Sequence, residues 1–164
     1  MEKVLVLDVD ETLLNIEPLS FLKIFKENYQ SYEGKLMFDK YYLSPRPNLT
    51  EFIEKAKKNF KLIAFSVVSR EITIKKLKAI GILDSFFKIY GKEDLENGKK
   101  SIKKIANDLN IPQNSIVAVD DIPEHFLEHD KVIKIEPWFI GDSKKDSSLL
   151  NIFKNLEVES KVFS

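Results

Sequence analysis

Short apolar runs alternate along the chain with segments whose apolar residues recur at helical spacing. The apolar runs, which we interpret as strands, cover residues 3–7, 60–68, 86–90, 116–119 and 132–135. Val, Ile, Leu and Phe predominate in them, which is typical of strands that a sheet buries on both faces. Strands that alternate with helices predict an α/β fold with a mainly parallel sheet and covering helices.

Amphipathic periodicity fills most of the segments between the strands. The predicted helices cover residues 19–29, 49–56, 72–80, 99–109 and 147–156. Asn48 precedes the second of these helices and Glu51 follows three residues later, a spacing that predicts a capping box. Gly81 is predicted to end the third helix.

Residues 13–44 interrupt this alternation. Within this segment, residues 31–43 are irregular and rich in aromatic residues, and Leu36–Phe38 with Tyr41–Leu43 suggests a short hairpin. The segment is too short for a large cap domain, so we expect a small flap at most. The sequence contains no repeat or linker, and we predict a single domain over residues 1–164.

Two aspartates, Asp8 and Asp10, follow the first predicted strand directly. In open parallel sheets, ligands bind at the edge where the carboxyl ends of the strands lie. Neighbouring carboxylates repel each other and need a cation or a shared proton to coexist. Asp8 is therefore a candidate nucleophile and Asp10 a candidate proton donor and acceptor. The alternative is a turn in which aspartate only caps the backbone.

Groups that suit phosphate follow later in the chain. Ser66 comes after the apolar residues of a predicted strand, where its hydroxyl and the backbone N–H groups of Val67 and Val68 could bind phosphoryl oxygens. Lys99 and Lys100 open a predicted helix, and either could supply a fixed cation for developing negative charge. The ordinary alternatives are a turn serine and a solvated, lysine-rich helix face.

A second acidic pair, Asp120-Asp121, ends the predicted strand 116–119 and is a candidate metal site. The sequence has no Cys and only two His, so we expect a hard cation such as Mg²⁺ on oxygen ligands. The segment Gly141–Asp146 offers a competing acidic pattern. We favour Asp120-Asp121, because Gly141–Asp146 does not follow a clean strand.

Composition narrows the classes of function. Lys and Arg total 26 and Asp and Glu total 26, so no net charge attracts the protein to nucleic acid or to a membrane. The absence of Cys excludes disulfides and thiolate-bound metals and fits our expectation of a cytoplasmic protein. We recognise no secretory signal and no apolar run of membrane-spanning length.

The order of these motifs resembles that of the haloacid dehalogenase-like phosphohydrolases. Asp8-Val9-Asp10-Glu11-Thr12 is similar to their first motif, and Ser66, Lys100 and Asp120-Asp121 follow in the order of the other three. This resemblance implies a Rossmann-like three-layer α/β/α sandwich, either capless or with a small flap.

A finer resemblance, to the NLI-interacting-factor-like or CTD-type small phosphatases, covers nearly the whole chain. It is carried by Arg46–Ile53, Lys61–Ser66, Val119–Pro123 and Trp138–Asp142. The chain departs from the family pattern at two of its candidate site residues. Ser66 stands where that family usually has Thr, and Asp121 stands where it usually has Asn.

The resemblance implies a role for each candidate residue. Asp8 would be the nucleophile, and Asp10 the general acid and then the general base, with its backbone carbonyl on Mg²⁺. Asp121 aligns with a direct metal ligand beside Asp120. Phosphate would be bound by Ser66 and Lys100, with Lys99 as the alternative lysine. Thr12 and Val67 are further candidates for substrate binding, although Thr12 is expected to shape the loop and not to react.

These roles imply a Mg²⁺-dependent phosphomonoester hydrolase that forms an aspartyl-phosphate. An open site suits a bulky substrate, and the resemblance points to a phosphoserine or phosphothreonine protein as the partner. Three alternatives stay open: a capless phosphatase for small molecules or nucleic-acid ends, a phosphotransferase or mutase, and a non-catalytic phosphate-binding module.

The remaining polar and aromatic residues have simpler interpretations. Arg46 is expected to brace the loop under the site, and Trp138 to be a core or interface aromatic residue. We interpret His125 and His129 as surface or helix-capping residues. The lysine-rich stretches at 57–58, 75–78 and 103–104 are predicted to be solvated helix faces.

Overall fold

The computed structural model describes residues 3–18, 20, 35–36, 41–140, 142 and 145–162, with side chains described as far as 156 in the last range. The strands are β1 (Val4–Leu7), β2 (Leu14–Pro18), β3 (Lys35–Leu36), β4 (Tyr41–Pro45), β5 (Lys61–Phe65), β6 (Lys88–Tyr90), β7 (Ile116–Asp120) and β8 (Val132–Lys134). The α-helices are α1 (Leu49–Ala56), α2 (Arg70–Ala79), α3 (Ile102–Leu109) and α4 (Ser148–Val162).

Five parallel strands form the central sheet in the order β6-β5-β1-β7-β8. β1 lies in the middle, with Leu7 paired to Ala64 on one side and to Val119 on the other. All four β1 residues are buried, as their apolar sequence predicts. The predicted mainly parallel α/β sheet is confirmed, and its central strand delivers Asp8 to the middle of one sheet edge.

Helices cover both faces of this sheet. Leu5 and Leu7 of β1 belong to the apolar cluster that includes buried residues of α1, α2 and α4. Val4 and Val6 point to the opposite face and share a cluster with buried residues of α3. Successive residues of a strand point to opposite faces, so β1 contributes to both clusters. The three-layer arrangement is therefore confirmed.

A separate antiparallel sheet is formed by β2, β4 and β3, with β4 in the middle. The pairing of Leu36 with Tyr42 confirms the predicted hairpin for the residues that the structure describes. β2 was not predicted, because its five residues include Asn15, Glu17 and Pro18 and show no long apolar run. The predicted helix 19–29 lies outside the described residues, apart from Ser20.

Several predicted boundaries are corrected by the structure. β5 is shorter than the predicted run 60–68 and ends at Phe65, so Ser66 lies just beyond the strand, as predicted. α3 begins at Ile102, not at 99, because the Ser101 hydroxyl caps it by accepting a hydrogen bond from Lys104 N at 3.0 Å. The prediction that Lys99 and Lys100 open this helix is therefore wrong.

Asn48 is the N-cap residue of α1, as predicted, but the predicted capping box is wrong. Asn48 adopts a left-handed conformation with φ of 64°, and its side chain makes no cap hydrogen bond. Its amide Nδ2 instead donates to the backbone oxygen of Asp146, at 2.8 Å. The apolar face of α1 is nevertheless confirmed, since its buried residues are Leu49, Phe52, Ile53 and Ala56.

The buried face of α2 differs from the predicted one. Thr73, Lys76 and Leu77 are buried, whereas Ile72 and Ile74 are only half-buried. The prediction of a solvated lysine face over 75–78 is therefore wrong for Lys76.

Among the described residues, no helix has both the length and the apolar character required to cross a bilayer.

Candidate active site

Three adjacent strands bring the predicted site residues to one edge of the sheet. Asp8 follows β1, Ser66 follows β5, and Asp120 ends β7 just before Asp121. Asp8 N donates to Val119 O at 3.0 Å, which extends the pairing of β1 with β7 by one residue. These side chains meet because β5, β1 and β7 are neighbours and end at the same edge.

Lys100 lies between two of the aspartates. Its Nζ donates to Asp8 Oδ1 at 2.6 Å and to Asp120 Oδ2 at 2.7 Å, and its side chain is fully buried. Burial alone would lower the pKa of Lys100, but the carboxylates of Asp8 and Asp120 outweigh it and raise the pKa. Lys99 is exposed. Of the two candidate lysines, the structure therefore brings Lys100 to the acidic residues.

The backbone of Lys100 is extended and pairs with the loop after β7. Lys100 N donates to His125 O at 2.8 Å, and Leu127 N donates to Lys100 O at 2.9 Å. The His125 ring lies beside the site, with Nδ1 3.6 Å from Asp120 Oδ1, which the surface or capping interpretation did not anticipate. His129 is exposed, as predicted.

Asp8, Asp120 and Asp121 form the acidic cluster of the site. Each offers an oxygen, and these oxygens lie within 4.8 Å of one another. Burial, together with the charges of Asp8 and Asp120, raises the pKa of Asp121 to about 7. Burial and Asp8 also raise the pKa of Asp120, although Lys100 opposes the rise. One ammonium does not balance three carboxylates, so the cluster fits an additional cation.

Thr12 and Glu11 complete the loop after β1. Thr12 Oγ1 donates to Asp8 Oδ2 at 3.0 Å and lies 3.5 Å from Asp121 Oδ1, so this buried hydroxyl contacts the acidic cluster. Glu11 was missed by the sequence reasoning. Burial, then Asp10 and Asp8, raise the pKa of its carboxyl to about 7. Its place between Asp10 and Thr12 was the signal that could have revealed it.

Asp10 faces a different set of groups from Asp8. Ser66 Oγ lies 3.5 Å from Asp10 Oδ2 and accepts a hydrogen bond from Val68 N at 3.2 Å. Val67 is exposed beside it. Lys76 Nζ donates to Asp10 Oδ1 at 2.5 Å. Sequence reasoning missed Lys76 because it lies in a lysine-rich stretch, and only its register beside Thr73 and Leu77 could have indicated burial.

Arg46 braces the loop after β1 that carries the site, as predicted. Its Nη1 donates to the backbone oxygens of Glu11 and Thr12 at 3.4 and 3.3 Å, and its Nε donates to Asp146 Oδ2 at 2.6 Å. Asp146 is thus used by Arg46, and Asp142 accepts from Phe139 N at 2.9 Å. Neither belongs to the acidic cluster that the structure shows. Trp138 is buried, in agreement with the core interpretation.

Comparison with known proteins identifies the family. Residues 3–163 match the family described as NLI interacting factor-like phosphatase. The chain belongs to this family. A CTD phosphatase-like protein of Invertebrate iridescent virus 3 is 29% identical to this NLI interacting factor-like phosphatase over 180 residues, covering 95% of this chain and 96% of the viral protein.

Solved structures share the fold of this NLI interacting factor-like phosphatase. A fission yeast RNA polymerase II CTD phosphatase Fcp1 variant bound to beryllium fluoride has a TM-score of 0.68 at 15% identity, over 94% of this chain and 49% of that one. A predicted phosphoglycolate phosphatase from Haemophilus somnus has a TM-score of 0.66 at 15% identity, over 94% and 98% of the two chains. The chain therefore spans about half of the Fcp1 structure. Its fold is that of a haloacid dehalogenase-like phosphatase.

Proposed function

We propose that this phosphatase hydrolyses phosphomonoesters through a phosphorylated Asp8. The observation that supports this most strongly is the contact of Lys100 Nζ with Asp8 Oδ1 at 2.6 Å, at the central strand end. The ammonium and the Thr12 hydroxyl fix the two oxygens of the Asp8 carboxylate. Such a carboxylate is held ready to attack a phosphorus atom in line with the leaving oxygen.

The proposed reaction has two steps. In the first, an Asp8 oxygen bonds to phosphorus, the ester P–O bond breaks, and Asp10 gives its proton to the leaving oxygen. In the second, a water attacks the aspartyl-phosphate while Asp10 takes a proton from it, which releases phosphate and restores Asp8. Phosphoryl oxygens would be bound by Lys100, Ser66 and the Val67 N–H.

We also propose that Mg²⁺ is the cofactor. The residues that would hold it are Asp8, Asp120 and Asp121, with the backbone carbonyl of Asp10. Three carboxylates lie close together beside one ammonium, which leaves an excess of negative charge. This excess fits a hard cation, because such ions prefer oxygen ligands. When bound, the ion would neutralise charge on the phosphoryl group.

A bulky substrate, such as a phosphoserine or phosphothreonine protein, is our proposal for the physiological target. Three exposed apolar side chains adjoin the site and are called the apolar rim here: Val67, Ile122 and Phe139. Val67 follows Ser66, Ile122 follows Asp121, and Phe139 follows Trp138, whose N donates to Glu11 O at 2.8 Å. Relatives whose names refer to CTD phosphatases support a phosphoprotein.

Substitution of the proposed nucleophile tests the mechanism. Asp8→Asn is expected to lower the turnover of p-nitrophenyl phosphate with Mg²⁺ by about three orders of magnitude or more. Asp142→Asn is the matched control, because it removes an exposed carboxylate of the competing Gly141–Asp146 pattern, and it should retain activity. Unfolding curves in urea should show that both variants remain folded.

Acid quench followed by peptide mass spectrometry provides a second measurement. With p-nitrophenyl phosphate, whose leaving group needs little help from an acid, the wild-type protein should carry one phosphoryl group on the peptide with Asp8. Asp10→Asn should accumulate more of it, because the first step proceeds and the second lacks its base. Retained turnover in Asp8→Asn would exclude the mechanism. Phosphate binding by a wild-type protein without turnover would instead favour a non-catalytic binding module.

A further inference from the structure

Lys76 is a buried lysine in contact with Asp10 for which the function proposed above gives no role. Its Nζ lies 2.5 Å from Asp10 Oδ1, with the two side chains 6% and 20% exposed. It comes from α2, a different element from the segment that supplies Lys100. The site therefore contains two separate ammonium groups, one directed at Asp8 and one at Asp10.

The burial of Lys76 is costly and is compensated by this contact. A lysine loses hydration and rotamer freedom when it is buried. Its neighbours along α2, Lys75 and Lys78, are exposed and avoid that cost. Lys76 shares the buried face of the helix with Thr73 and Leu77. Asp10 is the acidic partner that the structure gives to the Lys76 ammonium.

α2 is also firmly attached to the loop that carries Ser66. The Ser69 hydroxyl caps the helix by accepting from Ile72 N at 3.3 Å, and Thr73 Oγ1 donates to Ser69 O at 3.0 Å. Ser66 is only three residues before this cap. Lys76 and Ser66 therefore lie on one short strand-to-helix connection, and both contact the Asp10 carboxyl.

The two oxygens of Asp10 have different surroundings. Oδ1 accepts the hydrogen bond from Lys76, whereas Oδ2 lies 3.5 Å from Ser66 Oγ, on the side of the phosphate-binding groups. An ammonium can only donate, so Oδ1 is used as an acceptor. The oxygen that remains available to carry and transfer a proton is Oδ2.

We propose that Lys76 is a positioning residue that fixes the Asp10 carboxyl so that Oδ2 delivers the proton to the leaving oxygen. In the first step, the proton moves from Asp10 Oδ2 to the leaving oxygen as the P–O bond breaks, and Oδ1 stays on Lys76. In the second step, Oδ2 takes a proton from the attacking water. This inference rests on the proposed acid–base role of Asp10.

The dependence of the rate on the leaving group tests this role. p-Nitrophenolate leaves with little help from an acid, whereas the alkoxide of a phosphoserine peptide needs the proton. The parameter kcat/KM reports the first step, before water enters. Lys76→Met should lower kcat/KM for the phosphoserine peptide by about 10- to 100-fold, because general acid catalysis contributes on that scale. With p-nitrophenyl phosphate, the expected loss is about threefold or less.

Three variants make the test specific. Lys76→Arg keeps a cationic donor and should recover most of the lost peptide activity. Lys78→Met, an exposed lysine of the same helix, should match the wild type with both substrates. Lys76→Gln lacks the charge but retains polarity, and it replaces Lys76→Met in the comparison if the Met variant does not fold.

Asp10→Asn separates the inference from the function on which it rests. If Asp10 is the acid, its variant loses far more activity with the peptide than with p-nitrophenyl phosphate. An equal loss with both substrates in Asp10→Asn would contradict the acid role itself. If the loss of kcat/KM in Asp10→Asn depends on the leaving group but Lys76→Met lowers kcat/KM equally for both substrates, the positioning role of Lys76 is wrong.

Discussion

At the scale of single residues, the acidic cluster of the site has more negative than positive charge among buried side chains. Asp8, Asp120 and Asp121 lie close together, the Lys100 ammonium contacts only Asp8 and Asp120, and burial raises the pKa of both Asp120 and Asp121. The positions of these aspartates are predictable, because each follows a recognisable apolar strand. The choice between Lys99 and Lys100 is not predictable, because it depends on an extended segment whose pairing with Phe126 is distant in sequence.

The raised pKa of Asp121 predicts a pH-dependent stability of the metal-free protein. Its carboxyl titrates at about 7 in the folded state against a usual value of 3.8. Between these pH values the folded protein binds more protons than the unfolded chain, so the free energy of unfolding falls as the pH rises. Asp121→Asn should remove part of this slope and stabilise the protein at about pH 8 but not at about pH 4.

Mg²⁺ should reverse the loss of stability, because it binds the ionised carboxylates. The increase in melting temperature on adding Mg²⁺ should therefore be larger at about pH 8 than at about pH 5, and EDTA should abolish it. Thermal unfolding followed by circular dichroism provides the measurement. A Mg²⁺ effect that is independent of pH would contradict the assignment of Asp121 as an ionised ligand.

At the scale of secondary-structure elements, residues that are distant in sequence fix the starts of helices. Arg46 is one example, because it links the loop after β1 to the start of α4. The sequence predicts the existence of most helices and strands, since apolar periodicity determines which faces are buried. It mispredicts their ends, because these depend on distant partners. The amide of Asn48 binds Asp146 O instead of capping α1, and Glu128 accepts hydrogen bonds from Ile102 N and Lys103 N at the start of α3.

The contact of Arg46 with Asp146 should contribute substantially to stability. Arg46 is buried. Burial alone would raise the pKa of Asp146, but the hydrogen bonds from Arg46 and from Ser148 together lower it. Arg46→Met removes the hydrogen bonds of Arg46 to Asp146 Oδ2 and to the backbone oxygens of Glu11 and Thr12. It should lower the free energy of unfolding by about 3 kcal/mol. Asp146→Asn keeps an acceptor oxygen and should cost about 1 kcal/mol.

A double-mutant cycle measures this link directly. Urea unfolding of the wild type, both single variants and the double variant should give a double variant close to Arg46→Met alone, because the contact is already lost. Simple additivity of the two single effects would show that Arg46 and Asp146 do not depend on each other in solution.

At the scale of the whole molecule, the carboxyl edge of the parallel sheet carries both the acidic cluster and the apolar rim. The chain order of strands and helices was sufficient to predict this edge. The antiparallel sheet of β2, β3 and β4 was only partly predictable, because short strands with polar residues lack a clear period. That residues 13–44 form a small flap stays a prediction.

The apolar rim predicts a preference for phosphopeptides with apolar residues near the phosphoserine. Ile122→Ser and Phe139→Ser should each raise KM for such a peptide by about 3- to 10-fold, because they remove an apolar contact. Phe87→Ser is the control, since Phe87 is 55% exposed but precedes β6 at the opposite edge. Values of kcat/KM for p-nitrophenyl phosphate should stay within about twofold of the wild type. Unchanged peptide KM values would favour the small-molecule alternative.

The pairing of Lys100 with the loop after β7 also bears on how this enzyme could be recombined with its relatives. Backbone hydrogen bonds tie Lys100 to His125 and Leu127, and the Glu128 carboxylate holds the first turn of α3. A chimera that exchanges residues 96–128 as one block would carry its ammonium, its acidic pair and the bonds between them together. A graft that separates them would leave the buried Lys100 ammonium without the backbone hydrogen bonds that hold its segment in place.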